Sequence, residues 1–275
     1  MLNKKFRLWF SAFAIMVLVL VNVSYAQAGD AYGSYTKRAV YMYTYYDRAS
    51  VSTESPAGWA YTDIYTSGYV NVPAGYMGAG AQLFRADGAL CKSTAVTYNS
   101  SPTSVMSVST ARHSGASGYY SMGAASYYYG SGYSNYWTTS SPTLYVTSSF
   151  AATLKAPAPM LQENENDQTF GTAYVGQITG NMPDLVSAVT TDGAKGYVYS
   201  QDIQPKTPSD PQEALALNAE AASNPSIPVY AQDGTTIIGT FQFTTEVMSE
   251  NTAAERNDAP SADGAASTDG ASQAE

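Results

Sequence analysis

The stretch GYMGAGAQLFRADGALCKSTAVTYN, residues 75–99, carries the clearest structural signal of the 275-residue chain. Its Asp87-Gly88 pair stands between two β-rich runs, and a tight hairpin turn needs the positive φ that glycine adopts without strain. If the second run is extended, alternate residues fall on one side of it: Leu90, Lys92, Thr94, Val96 and Tyr98. We therefore predict a β-hairpin around this turn.

Neighbouring stretches give similar β signals. Residues 118–137, GYYSMGAASYYYGSGYSNYW, contain small residues that match those of the first hairpin strand, so the two segments are predicted to pair. Residues 38–47, RAVYMYTYYD, alternate tyrosines with smaller residues and are predicted as one strand. Short segments punctuated by proline, with no amphipathic helix up to residue 150, predict a mostly β fold that begins with an antiparallel β-sandwich or open barrel.

The sequence changes character after residue 154. The Tyr-rich all-β domain, residues 29–154, is predicted to be followed by an acidic linker, 155–168, and a small α+β domain, 169–245. Residues 246–275 are acidic and nearly free of large apolar groups, which predicts a disordered tail.

Within the α+β domain, residues 169–178 are predicted as a strand region and residues 183–189 as a short helical turn. Asp210 is the expected N-cap of a helix that starts with Pro211, and Glu213 is expected to reach back to the amide of the cap. A hairpin is predicted around Asp233-Gly234, and a turn at Asp192-Gly193.

The N-terminus has the pattern of a secretory signal peptide over residues 1–28. Basic residues precede an apolar run from Leu8 to Val21, which is shorter than the ~20 residues of a membrane-spanning helix. Cleavage is expected after Ala26 or Ala28, with an uncleaved anchor as the alternative. The chain is therefore expected to be secreted or associated with the cell surface, with no transmembrane anchor after cleavage.

Charge and cysteine content restrict the partners. Residues 29–155 carry seven Lys and Arg against five Asp and Glu, whereas residues 156–275 carry three against 17. Nucleic acid is not expected as a partner, because phosphate binding needs a basic face. Cys91 is the single cysteine and is expected to be a small buried residue in a strand.

Candidate catalytic groups are few. His113 is the single histidine, lies in a Gly/Ser-rich segment and is expected at the surface, and no nucleophile motif accompanies it. Glu163, Glu165 and Asp167 alternate like the first ligands of a calcium loop, but Gln168 stands where that loop needs glycine. We therefore predict no catalytic residue, no metal site, no cofactor and no enzymatic activity.

The aromatic residues are the remaining candidates for a site. In an extended segment, alternation sends Tyr128 to the opposite face from Tyr127 and Tyr129, so part of this triplet must face solvent or an interface. Flat rings can bind sugar rings, although a purely structural role for most of these tyrosines remains open. The candidate ligand-binding residues are Tyr120, Tyr128, Tyr133, Tyr136 and Trp137.

Several blocks also resemble known families. NENDQTFGTA, MPDLVSAVTTDGAKGYV, KTPSDPQEALALNAEAAS and IPVYAQDGTTIIGTF, within about residues 163–243, resemble a C-terminal module of Gram-positive secreted proteins. The same module forms the extracellular tail of membrane metallopeptidases of the β-lactam-sensor type. The resemblance does not imply peptidase activity, because the chain contains no HExxH motif, and it implies no catalytic residues.

Two further resemblances concern the cell wall and export. GAKGYVYSQDI resembles the closing strand of bacterial Src-homology-3-like wall-binding modules. AGYMGAGAQLFRADGALCKSTAVTYNSS and SGYYSMGAASYYYGSGY are similar to segments of uncharacterised exported proteins of Bacillota and Actinomycetota, which implies export and β structure.

These observations predict an exported, non-enzymatic protein of a Gram-positive-type bacterium that binds the cell envelope or a partner through exposed tyrosines. A cell-wall glycan or an envelope protein is the expected partner, and the sequence carries no indication of oligomeric state. A secreted antimicrobial or toxin-like protein is one alternative, and a carboxylate-based wall hydrolase is another.

Overall fold

The structure is a computed structural model that describes residues 29–146, 161–244 and 246–247. The predicted signal peptide lies outside these residues, as do the first part of the predicted linker and the predicted tail beyond residue 247. The described residues are mostly β, as the sequence predicts.

The first part of the chain is built from strands. In chain order these are β1 Gly29–Tyr32, β2 Thr36–Val40, β3 Tyr43–Glu54, β4 Ala57–Thr66, β5 Met77–Arg85, β6 Leu90–Ser93, β7 Thr97–Tyr98, β8 Val105–Ser109, β9 His113–Ser114, β10 Gly118–Tyr128, β11 Tyr133–Trp137 and β12 Leu144–Tyr145. A single 3₁₀ turn, Ser67–Tyr69, follows β4.

The second part mixes strands and helices. Its elements are β13 Gln162–Glu163, β14 Thr169–Gly171, α1 Ala173–Thr179, β15 Leu185–Val189, β16 Lys195–Tyr199, α2 Pro211–Ala222, β17 Ser226–Tyr230, β18 Ile237–Gln242 and β19 Glu246–Val247. A 3₁₀ turn, Ser200–Asp202, follows β16.

The strands form two sheets. The first has the order β1-β3-β4-β8-β19, with β2 beside β3 and β9 beside β4. The second has the order β11-β10-β5-β6-β15-β16-β17-β18, with shorter strands at its edges. Long antiparallel β10 and β5 pair from Tyr119 opposite Arg85 to Tyr127 opposite Met77, which confirms the predicted pairing of these two segments.

Strands β3 and β4 of the first sheet pack against β5 and β10 of the second to form a β-sandwich. Alternate residues of β10 point into this core, where Tyr127 packs with Tyr45 of β3 and Ile64 of β4. The fold class is therefore the predicted one, with its sandwich at the N-terminal end.

Small residues let the two sheets approach closely at one point. The Oγ1 of Thr62, on β4, donates a hydrogen bond of 2.8 Å to the carbonyl oxygen of Gly80, on β5. A Cβ atom at Gly123, on β10, would overlap this hydroxyl. Glycine is thus required here by space, because the backbone conformation of Gly123 is one that any residue adopts.

The predicted α+β segment extends the second sheet and covers its outer face. Strand β15 lies parallel to β6, with Ala188 opposite Leu90. Asn218 of α2 exchanges two hydrogen bonds with the backbone of Tyr98, at 2.8 and 2.9 Å. One hydrophobic cluster contains residues from both segments, including Met122 and Phe241. The outer face of β10 is therefore largely interior.

Three predicted turns are confirmed. Gly88, Gly193 and Gly234 each have positive φ, and each lies in the turn of an antiparallel hairpin. The glycine that follows each aspartate supplies the conformation that these turns need.

Several predicted elements are wrong in detail. Residues 38–47 are a hairpin, because the chain turns at Tyr41 and Met42, and Val40 pairs with Tyr43. Most of residues 169–178 form α1, and residues 185–189 form a buried strand in place of the predicted helical turn. Local patterns of apolar residues do not separate a short buried strand from a helical turn.

The predicted helix and its cap are nearly correct. The Asp210 carboxylate accepts hydrogen bonds from the amides of Gln212 and Glu213, as an N-cap does. Glu213 accepts a hydrogen bond from the amide of Ser209, whereas the predicted donor was the amide of Asp210. A second correction concerns residues 246–247, which form β19 on the edge of β8 and are not part of a tail without structure.

The close approach of the sheets predicts a strong effect of one methyl group. We expect Gly123→Ala to lower the free energy of unfolding by about 1–3 kcal/mol, because the added Cβ forces Thr62 away from Gly80. Chemical denaturation measures the change. Gly29→Ala is the control, since a Cβ there meets nothing within 4 Å, and equal stability of the two variants would contradict the assignment.

Candidate binding surface

Two hairpin turns meet at one end of the sandwich. The turn between β2 and β3 carries Tyr41, and the turn between β10 and β11 carries Gly130. A Cβ at Gly130 would lie 2.9 Å from the ring of Tyr41, and the rings of Tyr41 and Tyr128 are 6.4 Å apart. The two turns therefore form one continuous surface.

The rings at this end are in contact with each other. The centroids of Tyr43 and Tyr76 are 6.2 Å apart, and those of Tyr76 and Tyr128 are 4.9 Å apart. Tyr129 completes the set by packing against Gly132 of its own turn. We call this group the tip surface, and its members are Tyr41, Tyr43, Tyr76, Tyr128 and Tyr129.

The tip surface is partly open to solvent. Tyr41 is 59% exposed and Tyr129 is 45% exposed, while the neighbouring Met42 is 76% exposed. Tyr43, Tyr76 and Tyr128 are half-buried beneath them. Isolated exposed aromatic residues are common, but here four tyrosines are linked by ring contacts at the meeting of two turns, and the exposed Tyr129 lies in one of these turns.

The tip surface consists of tyrosines and contains no Asp, Glu, Lys, Arg or His side chain. Burial and the neighbouring tyrosines raise the pKa of Tyr76. The hydroxyl of Tyr128 already donates to the carbonyl oxygen of Gly130 at 2.5 Å. These rings thus present mainly their flat faces and edges to a ligand.

A buried polar group supports the tip surface from below. Asp47 lies fully buried between the sheets, where it accepts hydrogen bonds from Arg38 at 3.1 Å and from the hydroxyl of Tyr127 at 3.0 Å. Tyr127 stacks on Tyr45 with centroids 4.2 Å apart. Burial raises the pKa of Asp47, and its two partners act in the opposite direction.

The structure brings together only two of the five predicted site residues. The rings of Tyr128 and Tyr133 are 5.4 Å apart. Tyr133, however, is 6% exposed, and its hydroxyl donates to the carbonyl oxygen of Gly75. The expectation that Tyr133 is exposed is therefore wrong, because α2 covers this part of the sheet through Ala214 and Leu217.

The other predicted residues are dispersed. Alternation along β11 sends Tyr136 towards the core between the sheets and Trp137 towards the cluster under the α+β segment. Both are half-buried, and the guanidinium of Arg38 lies 4.4 Å from the ring of Tyr136. The two residues do not belong to one face.

Tyr120 is also buried, at 8% exposure, which corrects the expectation of an exposed ring. It stacks on Phe84 and forms one wall of a cavity of about 420 Å³ that also reaches Tyr32, Asp87 and Tyr174. Tyr120 is therefore separate from the tip surface.

Four members of the tip surface, Tyr41, Tyr43, Tyr76 and Tyr129, are not among the residues predicted from the sequence. Tyr41 and Met42 form a turn without the glycine or asparagine that marks such turns in a sequence. The run of three tyrosines before Gly130 was the available signal, since it places an aromatic side chain directly at a turn.

The potential acid–base groups have structural contacts. Nδ1 of His113 lies 3.2 Å from the hydroxyl of Tyr119. The histidine was expected at the surface, but it is half-buried, and this burial lowers its pKa to about 4. Cys91 is buried, as predicted, and burial raises the pKa of its thiol. Asp63 is buried beside Arg48, with 3.4 Å between Oδ2 and Nε.

Across residues 29–146, 161–244 and 246–247, no group of three or more His, Cys, Asp or Glu side chains is arranged to hold a metal ion. Among the helices in the same ranges, none combines the length and the apolar character needed to cross a membrane.

Comparison of the chain with protein-family models, with curated proteins and with solved structures finds no match.

The buried carboxylate beneath the tip surface gives a prediction on stability. Arg38→Met removes the cation beside Asp47, and we expect a loss of about 3 kcal/mol in the free energy of unfolding at neutral pH. Lys37→Met, on the exposed side of the same strand, is the matched control and should have little effect. Urea denaturation of both variants measures the difference.

The stability deficit of Arg38→Met should depend on pH, and the raised pKa of Asp47 determines the direction of this dependence. A carboxyl whose folded pKa exceeds its unfolded value contributes stability at low pH, and this contribution is lost as the pH rises through the folded pKa. Arg38 lowers this pKa, so Arg38→Met should raise it further, and the buried carboxylate of the variant takes up its proton earlier on acidification. The stability deficit of Arg38→Met should therefore shrink as the pH falls from neutrality. A deficit that grows on acidification would contradict this role of Asp47.

Proposed function

We propose that this chain is an exported, non-enzymatic binding protein of the envelope of a Gram-positive-type bacterium, and that the tip surface binds cell-wall glycan. The ligand-binding face is thus assigned to Tyr41, Tyr43, Tyr76, Tyr128 and Tyr129, of which only Tyr128 belongs to the set predicted from sequence. The observation that carries the proposal is the contact between two tyrosine-bearing turns with Tyr41 and Tyr129 exposed.

Sugar rings suit such a surface for a physical reason. Their C–H-rich faces can lie on flat aromatic rings, and this contact needs no charged partner. Tyr41, Tyr43, Tyr76 and Tyr128 are held by ring contacts with each other, and Tyr43 also contacts Tyr45 of the stacked Tyr45–Tyr127 pair, so these rings lose little freedom on binding. An uncharged glycan is accordingly favoured over a strongly charged ligand.

The proposed location is supported by the sequence. The signal-peptide pattern of residues 1–28 and the resemblance of residues 163–243 to a module of Gram-positive secreted proteins both favour export. The resemblance of residues 193–203 to a closing strand of wall-binding modules favours the wall as the target.

A non-enzymatic role is supported by the surroundings of the titratable groups. Asp47 and Asp63 are fully buried in contact with arginines, and the nearest polar partner of the His113 ring is a tyrosine hydroxyl. General acid–base catalysis needs such groups within reach of a substrate in a cleft.

Retention on purified Gram-positive cell wall tests the proposal. We expect the wild-type protein to sediment with the wall, and the double variant Tyr41→Asn/Tyr129→Ser to bind about tenfold more weakly, since it loses two exposed rings. Asparagine is chosen because Tyr41 has φ 56°, a conformation that asparagine tolerates.

Tyr174→Ala is the matched control. This tyrosine is 42% exposed, close to the value for Tyr129, but lies on α1 away from the tip surface, so its loss should leave retention unchanged. Binding should persist at about 1 M salt, where charge interactions are screened beyond ~3 Å. Absence of wild-type retention, or equal retention of the double variant, would refute the proposal.

A further inference from the structure

A cavity of about 350 Å³ lies on the outer side of the second sheet, between β5, α2 and the segment that follows β16. The predicted all-β domain and the α+β segment both contribute to its lining. The volume is near the lower end of the range of ligand pockets, which suits a small ligand.

Small and apolar residues create this space. Gly80 and Ala124 lie on adjacent strands of the sheet and leave room above the backbone. Val96 from the loop before β7, Leu217 from α2 and Phe243 from the segment after β18 contribute apolar walls. A ligand with an aliphatic portion would therefore replace water along these walls with apolar contact.

One wall contains an acceptor without a partner. The amide of Gln82 is held in place, because its Nε2 donates to the carbonyl oxygen of Ile203 at 3.2 Å. Its Oε1 is buried and accepts no hydrogen bond from the described residues, and the whole residue is only 3% exposed. A buried amide oxygen left without a donor is destabilising, so the site favours a ligand that supplies one.

The charges around the cavity are unbalanced. Three charged residues line it, and two of them, Lys206 and Glu220, form an ion pair with each other. The third is Asp202, whose carboxylate makes no hydrogen bond or ion pair with the described residues. Asp202 and Gln82 line the same cavity, and the carbonyl oxygen that holds the Gln82 amide belongs to Ile203, the residue after Asp202.

Burial raises the pKa of Asp202, as expected for a carboxyl that loses water without gaining a cation. The lining as a whole therefore carries one negative charge without a cation and one acceptor without a donor. The Gln82 oxygen and the Asp202 carboxylate can both accept hydrogen bonds from N–H donors, and the carboxylate can also pair with a cation.

We propose that this cavity binds a primary alkylammonium group: the aliphatic chain lies against Val96, Leu217 and Phe243, and the ammonium donates to Gln82 and Asp202. An ammonium has three N–H donors and no acceptor, which matches two oxygen acceptors and one negative charge. The cavity is a site distinct from the tip surface, so this binding and the proposed glycan binding can fail independently.

Calorimetric titration of the full chain with pentylamine at neutral pH tests the proposal, with pentan-1-ol as the matched uncharged probe. We expect pentylamine to bind at least about tenfold more tightly than the alcohol, because only the amine carries a positive charge that can pair with the Asp202 carboxylate. Equal binding of the two probes, or no binding of either, would overturn the proposal.

Variants locate the binding within the cavity. Asp202→Asn should weaken pentylamine binding at least about tenfold, whereas Glu163→Gln, an exposed carboxylate on β13 outside the cavity, should not change it. Ala95→Trp fills the cavity from its half-exposed rim and should abolish binding while the thermal midpoint stays near that of the wild type. Retained affinity in Asp202→Asn or in a folded Ala95→Trp variant would overturn the assignment.

The alkylammonium could come from a free amine or from the side chain of lysine in a peptide. Titration with cadaverine and with Nα-acetyl-lysine N-methylamide separates these sources. Binding that is sensitive to Asp202→Asn with either probe supports the proposal and identifies the source, and failure of both overturns it. Neither titration involves the tip surface, so the result is independent of retention on cell wall.

Discussion

The contact between the two sheets at Thr62, Gly80 and Gly123 sets the geometry of the rest of the molecule. Because Gly123 has no side chain, the Thr62 hydroxyl has room to reach the backbone of Gly80 in the opposite sheet. Larger residues fill the space on either side, as Tyr119 and Tyr127 do in two different parts of the core. Close packing at one point thus determines where the large rings of β10 can lie.

The buried hydrogen bond from Tyr127 to Asp47 also holds the two sheets together, at the tyrosine-rich end of the sandwich. Asp47 belongs to the first sheet and Tyr127 to the second, and their contact fixes the two sheets relative to each other in a region of low polarity. Arg38 supplies the compensating charge without which a buried carboxylate would be costly. The turns that carry Tyr41 and Gly130 continue directly from these paired strands, which is why they meet.

The α+β segment decides which tyrosines remain accessible. It covers the outer face of β5 and β10, and this removes Tyr120 and Tyr133 from solvent although both lie on that face. The same covering encloses the cavity beside Gln82 and Asp202. Aromatic residues at the end of the sandwich stay outside the covered area. The proposed glycan site at the tip surface and the proposed alkylammonium site beside Asp202 therefore lie at separate places.

The β class, the pairing of residues 75–85 with 118–128 and the aspartate–glycine turns could all be predicted from the sequence. Each of these depends on local chemistry: alternation, small residues and the positive φ of glycine. The turn at Tyr41 could not be predicted, because Tyr41 and Met42 carry none of these signals between the paired Val40 and Tyr43. The burial of Tyr133 could not be predicted either, since alternation identifies a face but not what covers it.

By itself, then, the sequence determined the β class, the pairing of residues 75–85 with 118–128, the aspartate–glycine turns and a surplus of tyrosine. Only the tertiary structure decided which rings form the tip surface, and which side chains surround the cavity between β5 and α2. The physical reason is that Tyr41 and Tyr128, or Gln82 and Asp202, are far apart in the chain and meet only when the sheets pack and the α+β segment closes over them.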